Sequence, residues 1–194
     1  MNVVYFKSLA GQRFSEALLP LLSYERRLKI GRLKREQDKL CSAWSELLLF
    51  QMAEDFGLGK IEIKTAENGK PYLENGVHIS LSHTENAVAA AVCTKPVGVD
   101  IERIKTPNFD VARRCFSDAE QEYCVNSPNH FYEIWTRKEA YTKRSGEGIF
   151  TVGMSKIDTL SAELCKEIKT TYIDDYVLSV CSVCSNDIQI IKKE

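Results

Sequence analysis

The amino-acid sequence predicts an α+β protein in which a long helix packs on a small antiparallel sheet, and in which this unit occurs twice. Two segments, residues 23–56 and 131–144, have the composition of helices, and in the first the apolar residues recur at steps of three and four. Short apolar runs bounded by turn residues follow each segment, and such runs are typical of strands. The order of helix and then sheet therefore occurs twice along one chain.

The individual elements follow from local signals in chain order. Ser23 is the expected N-cap of a charged helix that runs into a long amphipathic helix, which ends near Phe56 with Gly57 as its C-cap. Asn-Gly pairs at 68–69 and 75–76 mark turns on either side of the short segment 70–73. The predicted strands are residues 3–6, 61–64, 77–81, 87–93, 97–101, 172–173 and 176–183.

A faint internal repeat supports the duplication. A shift of 91 positions places Trp44 on Trp135 and residues 87–92 on residues 178–183. We therefore predict a pseudo-twofold chain with an N-terminal half, residues 1–97, and a C-terminal half, residues 98–194. Because ligands bind preferentially in clefts between such units, the active site is expected between the two halves.

Composition and charge exclude several classes of protein. The chain has 194 residues with 27 acidic and 26 basic side chains, so its overall charge does not favour binding to nucleic acid or to an anionic membrane. No stretch reaches the ~18 apolar residues of a membrane helix, and the first residues do not resemble a secretory signal. Seven scattered cysteines indicate reduced thiols and a cytoplasmic location.

Asp100 and Glu102 are the first candidates for chemistry. They lie two residues apart on a predicted strand, so their carboxylates project from the same face. Paired carboxylates suit Mg²⁺, which binds one or two of them together with substrate phosphates. A strand that leaves the core with solvated acids explains the same pattern, and the pattern taken alone favours that alternative.

Glu139 and Lys143 on the predicted helix 131–144 form a second candidate pair. Residues four apart are neighbours on one helical face, which is the spacing of a functional pair and also of an ordinary surface ion pair. Trp135 on the same helix is expected to pack in the core rather than to bind a ligand. Taken alone, this segment favours the structural alternative.

A third set of residues has the chemistry to bind phosphate. Residues 25–39 hold seven basic and three acidic side chains in a chain that is nearly neutral overall. Solvated helix charge is the default explanation for such a cluster, and a lone histidine is more often structural than functional. The set comprises Arg26 and Lys29, Lys70 before the rigid Pro71, and Ser82 and His83 after a predicted strand.

Other motifs of known sites are missing from the sequence. The three histidines lack the spacing of a zinc protease, and Cys181 and Cys184 lack a second cysteine pair and are expected on opposite faces of a strand. The sequence has no P-loop, no dinucleotide-binding glycine motif and no Gly-x-Ser-x-Gly elbow. Kinase, dehydrogenase and α/β-hydrolase functions are therefore disfavoured.

The candidate motifs follow one another in a definite order. They are Gly69-Lys70-Pro71, Leu81-Ser82-His83, Gly98-Val99-Asp100-Ile101-Glu102, Phe116-Ser117 with Glu120, and Trp135-x-x-Lys138-Glu139-Ala140-x-x-x-Lys143. In this order and spacing the sequence resembles the 4′-phosphopantetheinyl transferase superfamily, of the Sfp-like (surfactin-synthetase-activating) type. A chain that contains both halves is similar to the monomeric, pseudo-twofold members of that family. Cys41 departs from the pattern, because an arginine is common in this region of the relatives.

The resemblance implies transfer of 4′-phosphopantetheine from coenzyme A to a serine of an acyl or peptidyl carrier protein of fatty-acid, polyketide or nonribosomal-peptide synthesis, with release of adenosine 3′,5′-bisphosphate. It implies Mg²⁺, or Mn²⁺, held by Asp100, Glu102 and Glu139, with Glu139 also the base for the serine hydroxyl. Lys143 would contact phosphate and assist the leaving group. The residues implied to bind coenzyme A are Arg26, Lys29, Lys70, Pro71, Ser82, His83, Asp100 and Lys143.

Two alternatives remain open at this stage. One is a non-catalytic carrier-protein or nucleotide-binding module on the same fold. Such a module would be free to lose an acid, whereas all three carboxylates and Lys143 are present here. The other is a divalent-metal phosphohydrolase, which would use similar carboxylates with water as the acceptor and would consume coenzyme A without any carrier.

Overall fold

Groups of helices and groups of short strands follow one another along the chain. The structure is a computed structural model that describes residues 1–146 and 153–194. Within these residues, no helix is both long enough and apolar enough to cross a bilayer. Short 3₁₀ turns at Glu16–Leu21, Met154–Lys156 and Ser185–Asp187 accompany the regular elements. The regular elements are β1 (Asn2–Ser8), α1 (Tyr24–Arg32), α2 (Glu36–Asp55), β2 (Lys64–Thr65), β3 (Pro71–Tyr72), β4 (His78–Thr84), β5 (Ala87–Cys93), β6 (Gly98–Arg103), α3 (Phe109–Cys115), α4 (Asp118–Cys124), α5 (Pro128–Ser145), α6 (Leu164–Glu167), β7 (Ile168–Ile173), β8 (Tyr176–Cys181) and β9 (Gln189–Lys193).

Two sheets with the same strand order form the centre of the protein. In the first sheet, β5 lies between β1 and β4 and runs antiparallel to both. In the second sheet, β8 lies between β6 and β7 with the same antiparallel pairing. The long helix α2 packs on β4 and β5, and α5 packs on β6 and β8. The predicted fold class, an α+β protein with a helix packed on a small antiparallel sheet in each half, is confirmed.

The 91-residue repeat matches the positions of these elements. Shifted by 91, α2 covers residues 127–146, and α5 spans Pro128–Ser145. The same shift moves β4 to residues 169–175, where β7 spans Ile168–Ile173. It moves β5 to residues 178–184, which overlap β8. The repeat is therefore a property of the topology as well as of the sequence.

The charged N-terminal helix is separated from the long one by a break. Ser23 is the N-cap, as predicted, and its Oγ accepts a hydrogen bond from the Arg26 backbone N–H at 3.2 Å. The helix ends at Arg32, because Leu33 adopts an extended backbone. The break lets α1 fold back along α2, so that Ile30 joins an apolar cluster with Ala43. The packing of α1 on α2 therefore accounts for the break, which the residue types between the two helices do not predict.

Two strand predictions differ from the structure. Residues 61–64 were expected to form a strand, but β2 begins at Lys64, and Ile61 and Ile63 instead pack against the core beneath α2. The strand β9 was not predicted. It adds to the edge of the first sheet by parallel pairing with β1, where Val3 lies opposite Gln189. This pairing joins the two ends of the chain, and local patterns do not report such distant partners.

The strand β5 explains how the two sheets pack. All seven of its residues are buried, because α2 covers one face and the second sheet covers the other. Val88, Ala90 and Val92 pack in the cluster beneath α2. Ala87, Ala89, Ala91 and Cys93 alternate with them and pack against β6 and β8. Three alanines on this face permit close approach of the sheets, which brings β4 next to β6.

All seven cysteine thiols are free. Cys181 ends β8, and Cys184 lies in the turn that follows, so the prediction of one strand carrying both residues is wrong. The turn brings Cys184 Sγ to 3.3 Å from Cys93 Sγ at the end of β5. Folding therefore brings the Cys184 thiol into contact with the Cys93 thiol, which lies 91 residues away in the sequence.

Candidate active site

The candidate active site lies where β4, β6 and α5 meet. β4 and β6 belong to different sheets, and side-chain hydroxyls join them. Ser80 Oγ accepts a hydrogen bond from the Val99 backbone N–H at 3.0 Å, and Ser82 Oγ accepts one from the Ile101 backbone N–H at 3.3 Å. Because Ser80, Ser82 and Thr84 lie two residues apart on a strand, their side chains share the face that meets β6.

The same hydroxyls hold the two acids predicted on β6. Ser82 Oγ donates a hydrogen bond to Asp100 Oδ1 at 2.7 Å, and Thr84 Oγ1 donates one to Glu102 Oε2 at 2.7 Å. Asp100 is buried and Glu102 is half-buried. The alternative of solvated acids at the end of a strand is therefore wrong, because these carboxylates are bonded between the two sheets.

The helix α5 brings Glu139 and Lys143 to this junction. Lys143 Nζ donates to Asp100 Oδ1 at 2.6 Å and to Ser82 Oγ at 2.9 Å. Glu139 lies one turn earlier on α5 and is 5% exposed. The two residues are therefore not an exposed surface pair: Lys143 bonds to β4 and β6, and Glu139 is buried beside them.

Burial and neighbouring carboxylates raise the pKa values of Glu139 and Glu102. Burial raises the pKa of Glu139 to about 7, and the charges of Asp100 and Glu102 contribute to the rise, whereas Lys143 opposes it. Burial and the neighbouring Asp100 also raise the pKa of Glu102. The site therefore holds more negative charge than Lys143 offsets.

The donor set fits a hard divalent cation. Asp100 Oδ2 is buried and has no hydrogen-bond partner among the described residues, and such an acceptor is costly until a cation or a donor meets it. Carboxylate oxygens are the ligands that Mg²⁺ prefers. In residues 1–146 and 153–194, no three His, Cys, Asp or Glu side chains already form a metal-binding cluster. The acids are electrostatic neighbours, and a cation would have to draw their oxygens together.

A basic cavity of about 430 Å³ opens beside the acids. Its basic groups are Arg26 and Lys29 from α1 and His83 near the end of β4. The carboxylates of Glu25 and Glu46 also line it, and Glu46 is paired with Arg26. Burial lowers the pKa of Lys29, and the Arg26 charge lowers it further. Burial lowers the pKa of His83 as well, with further contributions from Lys29 and Lys143. Because these groups repel one another where they line the cavity, an anion would stabilise their charged forms.

The basic cavity continues toward the acids. A second cavity of about 290 Å³ is lined by Glu139 and Lys143 of α5. Gly69, Pro71 and Leu81 line both cavities, so the two form one cleft. One end of the cleft carries the basic groups, and the other carries Glu139 and Lys143, which bonds to Asp100. A polyanionic ligand that brings a cation would complement both ends.

A turn from the first half closes on the end of α5. Lys70 Nζ donates to the backbone oxygen of Arg144 at 2.6 Å, and Asn68 Nδ2 donates to the backbone oxygen of Gly146 at 2.7 Å. These carbonyls belong to the last turn of a helix, where intrahelical partners are lacking. Burial lowers the pKa of Lys70, and the nearby Arg144 adds to this effect. The predicted phosphate ligand Lys70 therefore also ties the two halves together.

The structure brings the predicted site residues together in or beside this cleft, although they come from distant parts of the chain. The first half contributes the cationic end and the second half the acids. The residues are Arg26, Lys29, Lys70, Pro71, Ser82, His83, Asp100, Glu102, Glu139 and Lys143.

Comparison with known proteins identifies the family. The family model described as the 4′-phosphopantetheinyl transferase superfamily matches residues 96–186. The 4′-phosphopantetheinyl transferase psf-1 of Bacillus pumilus is 31% identical over 158 residues, which are 76% of this chain and 67% of that protein. The chain belongs to the 4′-phosphopantetheinyl transferase superfamily.

Further relatives agree with the Sfp-like type. The 4′-phosphopantetheinyl transferase Sfp of Bacillus subtilis (strain 168) is 27% identical over 201 residues, covering 92% of this chain and 90% of that protein. The holo-[acyl-carrier-protein] synthase of Lactococcus lactis is 33% identical over 96 residues, which are 43% of this chain and 81% of that protein. The chain is an Sfp-like 4′-phosphopantetheinyl transferase, and the predictions of family and of enzyme class are confirmed.

Sequence reasoning missed several residues that build this transferase site. The hydroxyls of Ser80 and Thr84 went unnoticed, although the pattern Ser-x-Ser-x-Thr on one strand face was a usable signal. Glu46 was also missed. It lies on α2 among buried apolar neighbours, and a carboxylate in that setting signals a buried polar contact.

A buried ion pair links α5 to neighbouring elements. Lys138 Nζ lies 2.7 Å from Glu120 Oε2, and neither side chain is exposed. Glu120 Oε1 accepts hydrogen bonds from the backbone N–H and the hydroxyl of Thr159, and Lys138 Nζ donates to the backbone oxygen of Met154. The pair therefore joins α4, α5 and the segment after residue 152. Lys138 precedes Glu139, so this anchor lies next to the acid of the site.

Proposed function

We propose that this enzyme transfers 4′-phosphopantetheine from coenzyme A to a serine of an apo acyl or peptidyl carrier protein and releases adenosine 3′,5′-bisphosphate. One observation carries the proposal: Lys143, which lines the acidic part of the cleft, bonds to Asp100, and the basic part belongs to the same cleft. Coenzyme A has a diphosphate at its centre and a 3′-phosphate at one end. The charges of the cleft complement this distribution.

The cationic end of the cleft suits the 3′-phosphate. Arg26, Lys29 and His83 line it, and the lowered pKa values of Lys29 and His83 support a site that is completed by an anion. Lys70 and Pro71 line the middle of the cleft, and Ser82 and Lys143 lie near its acidic end, where the diphosphate would bind. We assign these residues to coenzyme A binding.

Asp100, Glu102 and Glu139 would hold Mg²⁺, with Mn²⁺ as the second choice. The orphaned Asp100 Oδ2 and the raised pKa values of Glu102 and Glu139 support this assignment. When bound, the ion would neutralise diphosphate charge and make the phosphorus more electrophilic. Without it, the same carboxylates repel a diphosphate, so the proposed reaction depends on the cation.

Glu139 would accept the proton of the serine, and Lys143 would stabilise the charge that develops on the phosphate. The carrier serine oxygen forms a bond to the phosphorus that bears pantetheine, and the bond from that phosphorus to the leaving phosphate oxygen breaks. Glu139 accepts the serine proton, directly or through a water, as the general base. Lys143 donates a hydrogen bond to the phosphate oxygens as charge develops on the leaving group.

We further propose that residues 1–97 bind the phosphates of coenzyme A and that residues 98–194 bind the metal ion and catalyse the transfer. The first segment supplies Arg26, Lys29 and His83, and the second supplies the three acids and Lys143. Because both sets meet in a cleft of a single chain, a monomer would be active. The seven free thiols support a cytoplasmic location for the enzyme.

The test is incubation of the enzyme with coenzyme A and a panel of apo carrier proteins, read by intact mass. We expect one phosphopantetheine on at least one carrier with Mg²⁺ present and none in excess chelator. Consumption of coenzyme A without a modified carrier would indicate a phosphohydrolase. Binding of coenzyme A with no transfer to any carrier would indicate a non-catalytic module. Full transfer in excess chelator would contradict the metal assignment.

A further inference from the structure

A buried carboxylate lies beneath the cationic end of the cleft. Glu46 is in the middle of α2, and its side chain is 3% exposed. Ala43, Leu48 and Leu49 around it are buried apolar residues. A carboxylate in such a place is costly unless hydrogen bonds and an opposite charge compensate for lost water. The contacts of Glu46 therefore indicate which interactions compensate for its burial.

Both oxygens of Glu46 bond to the first turn of α1. Oε2 accepts a hydrogen bond from the Ser23 backbone N–H at 2.8 Å, and Oε1 accepts one from Ser23 Oγ at 2.9 Å. Ser23 Oγ in turn accepts from the Arg26 backbone N–H as the N-cap of this helix. The carboxylate thus fixes the start of α1 against α2, and its negative charge complements the positive end of the helix dipole.

The same carboxylate orients Arg26. Its Oε1 accepts from Arg26 Nε at 3.4 Å, and Ser42 Oγ, one turn earlier on α2, accepts from Arg26 Nη1 at 3.4 Å. The Arg26 side chain is 13% exposed and lines the basic cavity with Lys29 and His83. Arg26 and Lys29 lie on the helix that Glu46 anchors, whereas His83 lies on β4. The distance between the two groups of cations therefore depends on how α1 is held.

We propose that Glu46 is a positioning residue for recognition of the 3′-phosphate of coenzyme A, and this inference rests on the proposed function. It holds α1 and the Arg26 guanidinium so that Arg26, Lys29 and His83 converge on one phosphate group. Without the hydrogen bonds of Glu46, the side chains of Arg26, Lys29 and His83 would no longer be held so that all three contact the same phosphate group. Glu46 would thereby determine the preference for coenzyme A over its 3′-dephospho form.

Glutamine is a sharp probe of this role, because both oxygens of Glu46 accept hydrogen bonds. Glu46→Gln keeps the size of the side chain but has one acceptor oxygen and an NH₂ group that would face a donor from Ser23 or Arg26. Glu46→Asp keeps the charge and both acceptors but shortens the reach. Glu54→Gln on the same helix is the matched control, since Glu54 is exposed and lies outside the cleft.

The experiment compares coenzyme A with 3′-dephospho-coenzyme A as substrates of these variants. For Glu46→Gln we expect KM for coenzyme A to rise about tenfold, with kcat within about twofold and KM for the dephospho substrate nearly unchanged. Glu46→Asp should lie between wild type and Glu46→Gln, and Glu54→Gln should match wild type. Calorimetric binding of adenosine 3′,5′-bisphosphate and of 5′-AMP supplies a second readout that does not require transfer.

Several outcomes would overturn the inference. An equal loss on both substrates would mean that Glu46 has a structural role alone. A fall in KM for coenzyme A would mean that its charge repels the phosphate. A wild-type enzyme that binds both nucleotides equally would show no 3′-phosphate site to position. If Glu46→Gln does not fold, Ser23→Ala, which removes one contact of Glu46 together with the N-cap bond of α1, should show the same selective effect at smaller size. Failure of the proposed function is distinct, because wild type would then transfer nothing from either substrate.

Discussion

Gly98 on β6 and Ala140 on α5 approach so closely that no side chain fits between them. A Cβ placed on Gly98 would lie 1.9 Å from the backbone oxygen of Ala140 and 2.5 Å from the backbone nitrogen of Arg144. The strand therefore lies directly against the helix backbone. Because of this close approach, Lys143 on α5 reaches Asp100, which lies two residues after Gly98 on β6.

Replacing Gly98 by alanine should disrupt the packing of β6 on α5. The methyl group would meet backbone atoms that cannot rotate away, so we expect a loss of more than about 3 kcal/mol in the free energy of unfolding, measured by urea denaturation. Gly31→Ala is the matched control. Gly31 lies in α1 with open space at its Cβ position, so alanine there should stabilise by about 0.5–1 kcal/mol. A cost below about 1 kcal/mol at Gly98 would contradict the close approach.

Glu139 should make the metal-free protein less stable as pH rises. Its pKa is raised from 4.5 to about 7 on folding, so the native state binds a proton more tightly than the unfolded state between these values. Stability is therefore lost as the pH increases from about 4.5 to about 7, by about 3 kcal/mol for this group. We expect Glu139→Gln to remove this loss, because glutamine does not titrate.

The measurement is the free energy of unfolding of wild type and Glu139→Gln at several pH values in chelator. The difference between the two should grow in favour of the variant as pH rises and level off above about 8. Glu139→Gln should also abolish phosphopantetheine transfer while the protein stays folded. A variant that retains wild-type turnover would remove Glu139 from the proposed mechanism.

Lys143→Met should remove the cation that donates hydrogen bonds to both Asp100 and Ser82. Methionine keeps much of the length of the side chain but donates no hydrogen bond to Asp100 Oδ1. Because Lys143 is proposed to stabilise charge on the transferring phosphate, we expect kcat to fall about 10²- to 10³-fold. Lys39→Met, which breaks an exposed ion pair with Glu36, should leave transfer unchanged. Similar effects of the two substitutions on kcat would argue against a role for Lys143 in the reaction.

Lys138→Met should be far more damaging to stability than loss of a surface lysine. It leaves the Glu120 carboxylate buried without its ion pair, for which we expect a loss of about 3–5 kcal/mol on thermal or urea unfolding. Adding Glu120→Gln should restore part of that loss, because the uncompensated charge is then removed. If the double variant is no more stable than the single one, the destabilisation does not arise from the orphaned charge.

The local signals in the sequence were sufficient for much of the architecture. Periodicity placed the long helix α2 and composition placed α5, and Ser23 was recognised as an N-cap because its residue type matches the role. The 91-residue repeat anticipated two similar units. The motif around Asp100 and the pair Glu139–Lys143 named the acidic end of the cleft, because the spacing of residues along one strand or one helix face is a local property.

The sequence by itself determined the fold class, the family resemblance and part of the set of residues that the structure brings to the cleft. The tertiary structure decided how they are joined. The pairing of β9 with β1, the anchoring of α1 by Glu46 and the contact of Lys70 with the end of α5 all involve residues far apart in the chain. The raised pKa of Glu139 likewise depends on burial and on acids contributed by β6. These properties arise from the distances between elements after folding, and local residue patterns do not contain those distances.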